Sequence, residues 1–135
     1  MRETSEKPDN ASHLISLLVV DDDPEDFFIL RRKLKSVKTK DYRITYTDSY
    51  AEAVDALNLS KFDAVLMDYY VGVHTGTEIF SAFEDKPHVP VIILSGNGSA
   101  DIESEALDAG AFDYLNKSDV TPDNLVWVID TAIYH

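Results

Sequence analysis

The stretch Leu17-Leu18-Val19-Val20-Asp21-Asp22-Asp23-Pro24 decides the fold. Four apolar residues in a row are the mark of a strand covered on both faces, since a half-wet strand would alternate. Three acids end the run. Asp23 followed by Pro24 then reads as a helix N-cap with Pro at the first helical position. Phe27, Leu30, Leu34 and Val37 continue at helical spacing and line one face. A buried strand therefore feeds straight into an amphipathic helix.

Outward from this unit the pattern repeats. Further short runs are Tyr42-Arg43-Ile44-Thr45-Tyr46, Ala64-Val65-Leu66-Met67, Val89-Pro90-Val91-Ile92-Ile93-Leu94 and Phe112-Asp113-Tyr114-Leu115. The first of these alternates polar with apolar, as an edge strand would. Helix starts fall between them: Ser49-Tyr50-Ala51-Glu52 and Thr75-Gly76-Thr77-Glu78 fit the capping box, and Thr121-Pro122 opens the last helix. Gly110 stands where a helix beginning near Ser99 should end. Strand and helix thus alternate five times. Parallel strands need crossover helices, and right-handed crossovers leave few sheet orders. The expected product is an α/β domain: a doubly wound, five-stranded parallel sheet of order 2-1-3-4-5, flavodoxin-like. In such sheets ligands sit beyond the carboxyl ends of the strands, where the winding reverses.

The chain of 135 residues suits one domain, read as residues 14–135 behind a loose polar tail over 1–13. Its hydrophobic fraction of 44% is ordinary for a globular protein. Without cysteine there is no disulfide framework, thiolate metal site or Cys nucleophile, which fits a reducing cytoplasm. Acids outnumber bases by 25 to 12, for a net charge of −13. That field repels nucleic-acid backbones and anionic membrane surfaces and attracts cations. No segment approaches the roughly 20 apolar residues of a membrane span, and the N-terminus lacks the apolar middle of a signal peptide.

The geometry directs attention to the residue after each strand. Asp21, Asp22 and Asp23 follow the first, Asp68 the third, Ser95 the fourth and Lys117 the fifth. Each has an ordinary explanation taken singly: a cap, a turn former, a loop serine, a solvated lysine. Together they border one switch point. Carboxylates packed at contact repel by roughly 4 kcal/mol per pair at an effective dielectric near 20, so a proton or a cation must neutralise them. An all-oxygen, water-accessible site favours Mg²⁺. A lysine on the rim of such a site is useful if a further anion arrives, such as a phosphoryl group, and Ser95 offers that group a hydroxyl. Carboxylates also serve as nucleophiles in phosphoryl transfer.

From about Ser16 to His135 the chain resembles the receiver domain of bacterial two-component response regulators. The resemblance rests on Val19-Val20-Asp21-Asp22-Asp23-Pro24, Val65-Leu66-Met67-Asp68, Ile92-Ile93-Leu94-Ser95-Gly96 and Asp113-Tyr114-Leu115-Asn116-Lys117, in order and at family spacing. It implies that Asp68 accepts a phosphoryl group from a histidine kinase or histidine phosphotransfer protein. It implies that Asp22 and Asp68 ligate Mg²⁺ with the backbone carbonyl of Tyr70, Asp21 acting mainly through water. Lys117 would pair with the phosphoryl oxygens, Ser95 would be the switch hydroxyl, and Tyr114 the aromatic whose rotamer follows it. Downstream proteins would dock on the face built from the fourth helix, fifth strand and last helix. Tyr70 and Asn97, each two residues past a site residue, would tune the lifetime of the acyl phosphate.

Three positions depart from the family pattern. Gly72 stands where a Pro is usual past the acceptor, implying a more mobile loop over 69–74. Ser118 replaces the Pro that usually follows the lysine in a cis peptide, and Ser95 replaces the commoner Thr. No output domain follows the last helix in this sequence, so the expected mode of action is docking, as a stand-alone regulator or relay intermediate, unless the sequence is the excised receiver of a larger chain. Two rivals stay open: an aspartyl-phosphate phosphohydrolase, which needs a second acid where Tyr70 stands, and a receiver-like module that binds partners without phosphorylation. A flavodoxin-like nucleotide or flavin binder would need a Gly-rich loop after the first strand, and none is present. His13, His74, His88 and His135 share no ligand spacing. Phe28 reads as a partly buried packing residue, Trp127 as core-facing, and the strip Arg31-Arg32-Lys33-Lys35-Lys38-Lys40 as a solvated helix face.

Overall fold

The computed structural model describes residues 14–75, 78, 89–96 and 100–134. In chain order these form β1 (Leu14–Val20), α1 (Pro24–Lys35), β2 (Asp41–Thr47), α2 (Tyr50–Leu59), β3 (Ala64–Asp68), β4 (Tyr70–Val71), β5 (His74–Thr75), β6 (Val91–Ser95), α3 (Ala100–Asp108), β7 (Asp113–Asn116), a 3₁₀ turn over Lys117–Asp119, and α4 (Pro122–Tyr134). The main sheet runs β2-β1-β3-β6-β7 with every pair parallel. This is the doubly wound order expected once the short β4–β5 hairpin is set aside. The expected tail over 1–13, Asn97, and His13, His88 and His135 lie outside the described residues.

The continuous apolar runs follow from burial on both faces. Leu17 and Val19 of β1 join Leu66 of β3 and Ile92 of β6 in a layer under α1 and α4, which contribute Leu30, Leu34, Leu125 and Ile129. Their neighbours Leu18 and Val20 point the other way with Val65, Met67 and Ile93, and are covered by Ala53 of α2 and Ala106 of α3. Both layers exclude water, and Leu17, Leu18, Leu66, Met67 and Ile92 are each fully buried.

Local signals place the helices as read. Asp23 caps α1 by accepting from the Glu25 N–H, and Ser49 caps α2 by accepting from the Glu52 N–H at 3.2 Å. Thr75 and Glu78 bond reciprocally: the Thr75 N–H donates to Glu78 Oε2 at 2.6 Å and the Glu78 N–H to Thr75 Oγ1 at 3.4 Å. Thr121 and Asn124 form a second such pair ahead of α4. Gly110, just past α3, has φ +113°.

Two side chains depart from the expectation. Trp127 is 64% exposed, not core-facing. The core stripe of α4 is Leu125, Val128, Ile129 and Ala132, and at about 100° per residue Trp127 lies some 200° around from Leu125. Phe28 stands in the same relation to Leu30 and is 58% exposed, with the Arg32 guanidinium 5.9 Å from its ring centroid. The basic strip is also only partly solvated. Lys33 Nζ donates to the Val120 carbonyl at 2.8 Å, Lys35 Nζ to the Tyr42 carbonyl at 2.6 Å, and Lys40 pairs with Asp130 at 2.8 Å.

Truncating the central layer should be costly where trimming the outer face of α4 is not. Leu66→Ala is expected to lose about 3 kcal/mol of stability, and Trp127→Ala to stay within about 0.5 kcal/mol. Urea denaturation followed by far-ultraviolet circular dichroism measures both.

Candidate functional site

The register of the sheet assembles the site. Val20 pairs with Thr47 on one side and Met67 on the other, while Asp68 pairs with Leu94 and Ser95 with Asn116. Four strands therefore end together, and Asp21, Asp68, Ser95 and Lys117 sit at or one residue beyond their carboxyl ends.

Asp21 is buried at 3% exposure, and its polar groups are closely accounted for. Its N–H donates to the Thr47 carbonyl at 3.1 Å, and its own carbonyl accepts from the Tyr46 hydroxyl at 2.8 Å. Its Oδ1 accepts the Asp23 N–H at 2.9 Å, and its Oδ2 accepts from Lys117 Nζ at 2.8 Å. Exposed Asp22 accepts the Gly72 N–H at 2.7 Å, tying the acid run to the hairpin turn. Gly72 has φ +61°, the left-handed region that Gly enters without strain. Asp21, Asp22 and Asp68 each present a carboxylate oxygen within 4.8 Å of the others.

Lys117 reaches into this cluster from the far strand. Its Nζ lies 2.8 Å from Asp21 Oδ2, 2.8 Å from Asp26 Oδ2 and 3.4 Å from Asp68 Oδ2. The turn behind it is set by Asn116, whose Oδ1 accepts the Ser118 N–H at 3.0 Å and the Ser118 hydroxyl at 2.8 Å. No peptide is cis among the described residues.

The electrostatics follow from burial. Asp68 is pushed up to about 6, first by desolvation; Lys117 pulls it down, while the charges of Asp21 and Asp22 push it up. Asp21 is raised for the same first reason, with Lys117 opposing. For Lys117, burial disfavours the charge, but the carboxylates of Asp21 and Asp26 and the charge of Asp68 outweigh it and raise its pKa. The ammonium stays protonated and cannot neutralise four acids. Three converging carboxylates, no Cys or His donor among the described residues and water access through Asp22 are the donor set of a hard divalent cation.

The remaining expected residues are placed as follows. Ser95 ends β6 and is 2% exposed. Tyr114 of β7 is half-buried against the layer that holds Met67, Ile93 and Ala106, with its hydroxyl buried and unpartnered among the described residues. Tyr70 is exposed and lies edge-on to Tyr69, ring centroids 4.7 Å apart. The His74 ring lies tilted by 31° against Tyr50, centroids 4.5 Å apart, with Nδ1 3.7 Å from Glu78 Oε2. Two contributors escaped the sequence reading. Asp26 sits in the first turn of α1, where an acid reads as an ordinary complement to the helix dipole, and its bond to Lys117 depends on the fold bringing the fifth strand of the main sheet alongside. Tyr46 stacks on Phe27 at 4.0 Å while holding the Asp21 carbonyl, and nothing in an alternating edge strand announces that bond.

Residues 17–130 match the response regulator receiver domain family. The chain belongs to that family. It is 35% identical over 118 residues to the transcriptional regulatory protein GlrR of Escherichia coli K12, covering 87% of this chain and 26% of that protein. It therefore spans about a quarter of that relative's length. Among solved structures it resembles the receiver domain of the sensor histidine kinase PA1611 from Pseudomonas aeruginosa PAO1, which carries a magnesium ion in its active-site cleft. That match has a TM-score of 0.77, 27% identity, and covers 90% of this chain and 98% of that one. A response regulator receiver domain protein from Clostridium thermocellum matches with the same TM-score of 0.77, 28% identity, and 89% and 94% coverage. This receiver has no helix among its described residues that is long and apolar enough to cross a membrane.

A crowded acid should destabilise the metal-free receiver. The Asp68 carboxyl ionises near 3.8 when unfolded and at about 6 when folded. Its cost is absent below pH 3.8, grows as pH rises to about 6, and persists above, at up to about 3 kcal/mol. Asp68→Asn is expected to stabilise the chain in EDTA at pH 7.5 and to leave it unchanged at pH 3. Chemical denaturation at the two pH values tests the sign.

Proposed function

We propose that the domain is the phosphoacceptor of a two-component relay, and that Asp68 takes a phosphoryl group from a phosphohistidine on a histidine kinase or histidine phosphotransfer protein. The observation that carries this reading is the approach of Lys117 Nζ to 3.4 Å from Asp68 Oδ2, with the oxygens of Asp21, Asp22 and Asp68 lying within 4.8 Å of one another. An Asp68 oxygen attacks phosphorus, the P–N bond breaks, and its electron pair returns to the donor imidazole. Such transfer depends on positioning and charge neutralisation more than on proton movement. Lys117 stabilises charge on the transferring group, and Ser95 offers a hydroxyl to one of its oxygens. Asp22 and Asp68 with the Tyr70 carbonyl, and Asp21 through water, would hold Mg²⁺. When bound, that ion supplies further charge neutralisation at the phosphoryl oxygens.

Phosphorylation then biases two states of the domain. Ser95 and Lys117 are drawn towards Asp68, and Tyr114 turns into the vacated space. The bias is limited by how differently these groups bind the phosphate in each state. Downstream proteins dock on α3, β7 and α4, where the helices carry exposed Leu107, Trp127 and Tyr134. The acidic chain works in the cytoplasm, on protein partners and not on nucleic acid or membranes, as a switch whose only turnover is slow self-dephosphorylation. Tyr70, exposed beside the acceptor strand, hinders the approach of water to the acyl phosphate, with Asn97 as its counterpart past Ser95.

Incubation with Mg²⁺ and acetyl phosphate should introduce one alkali-labile phosphoryl group per chain, lost in Asp68→Asn. Multiple turnover of small phosphate esters would favour the phosphohydrolase instead, and absence of labelling would favour an unphosphorylated binding module. Tyr70→Ala is expected to speed loss of the label about three-fold or more. An unchanged rate removes Tyr70 from the account.

A further inference from the structure

Lys117 holds one more carboxylate than the acceptor chemistry requires. An ammonium has three N–H donors. Asp21 and Asp26 each take one at 2.8 Å, which leaves Asp68 the long contact of 3.4 Å. The two anchors are unequal. The Asp21 side chain is 4% exposed and is fixed from behind by the Asp23 N–H. The Asp26 side chain is 40% exposed, on the first turn of α1, beside a cleft of about 100 Å³ lined by Ile29, Lys33, Leu94 and Val120. Water can replace Lys117 at Asp26 but not at Asp21, because only the exposed carboxylate recovers solvation when its partner leaves.

We propose that Asp26 is a positioning residue for Lys117: it anchors the ammonium on the α1 side of the pocket and yields it when a phosphoryl group forms on Asp68. The inference rests on the reading of Asp68 as phosphoacceptor. A phosphoryl group presents oxygens beyond the carboxylate that bears it, with more negative charge than the carboxylate had. It competes for the ammonium against the one anchor that solvent can compensate. Until then Asp26 keeps Lys117 from closing on Asp68, and its charge repels an incoming anionic donor at a separation of a few ångströms. The same charge strengthens the hold of the acid cluster on a divalent cation.

Asp26→Asn therefore has two effects of opposite sign. Labelling by acetyl phosphate at saturating Mg²⁺ should be about three- to ten-fold faster, and the Mg²⁺ dissociation constant about two- to five-fold higher. Asp26→Glu should restore both, and circular dichroism confirms that each variant is folded. A small donor is used so that no partner contact with α1 enters the rate. In a crystal structure of Asp26→Asn, Lys117 Nζ should move from 3.4 Å towards about 2.8 Å from Asp68 Oδ2. Labelling that is unchanged or slower in Asp26→Asn overturns the proposal. If the wild type takes no label, the phosphoacceptor reading fails, and the Lys117–Asp68 distance alone decides the anchoring: contraction supports it, and no movement overturns it.

Discussion

Three carboxylates share one ammonium at the end of the sheet with a fourth close by, and that imbalance governs the rest of the molecule. Asp21, Asp26 and Asp68 all face Lys117 Nζ within 3.4 Å, and Asp22 lies among the same oxygens. A single positive charge cannot satisfy them, so burial and mutual repulsion drive the Asp68 carboxyl up to about 6. The fold tolerates this because the strain is confined to one rim. Behind it, two fully dry layers of aliphatic side chains hold the strands in register. The core supplies the stability that the rim gives up, a division common at functional sites.

Most of the fold was legible because burial on both faces writes itself into sequence. Val19-Val20, Val65-Leu66-Met67 and Val91-Ile92-Ile93-Leu94 read as strands before any contact is known, and caps at Asp23 and Ser49 marked where helices begin. Sheet order then followed from handedness, and with it the meeting of Asp21, Asp68, Ser95 and Lys117. What escaped was whatever depends on angle about a helix or on single side-chain bonds. Trp127 was placed by residue type, which favours burial of aromatics, when the stripe through Leu125–Ile129 already turned it outward, and Phe28, off the Phe27-Leu30-Leu34 stripe, is more exposed than the partial burial expected of it. Asp26 was passed over as one more acid in a helix's first turn, because its partner Lys117 lies 91 residues away and nothing local announces the pair. The β4–β5 hairpin left no period long enough to read.

Where the chain departs from the usual receiver pattern, local substitutes are in place. Asn116 caps the turn that follows β7 through both the amide and the hydroxyl of Ser118, so a side chain organises the segment that carries Lys117. Past Asp68, Gly72 takes a left-handed turn and gives its N–H to Asp22, closing the hairpin onto the acid run. Tyr69, next to the acceptor in sequence, is buried and donates its hydroxyl to Glu105 of α3. That bond ties the residue just past the acceptor strand to the helix that covers its own layer, and burial together with the Glu105 carboxylate pushes the Tyr69 phenol up to about 12.

The outward position of Trp127 has a consequence for anyone watching this protein in solution. It is the chain's single tryptophan, and it sits on the solvent side of α4, away from both aliphatic layers. Its emission is therefore a built-in optical gauge of that helix's outer surface, red-shifted while the indole is wet. A blue shift without unfolding would report that another molecule has covered it.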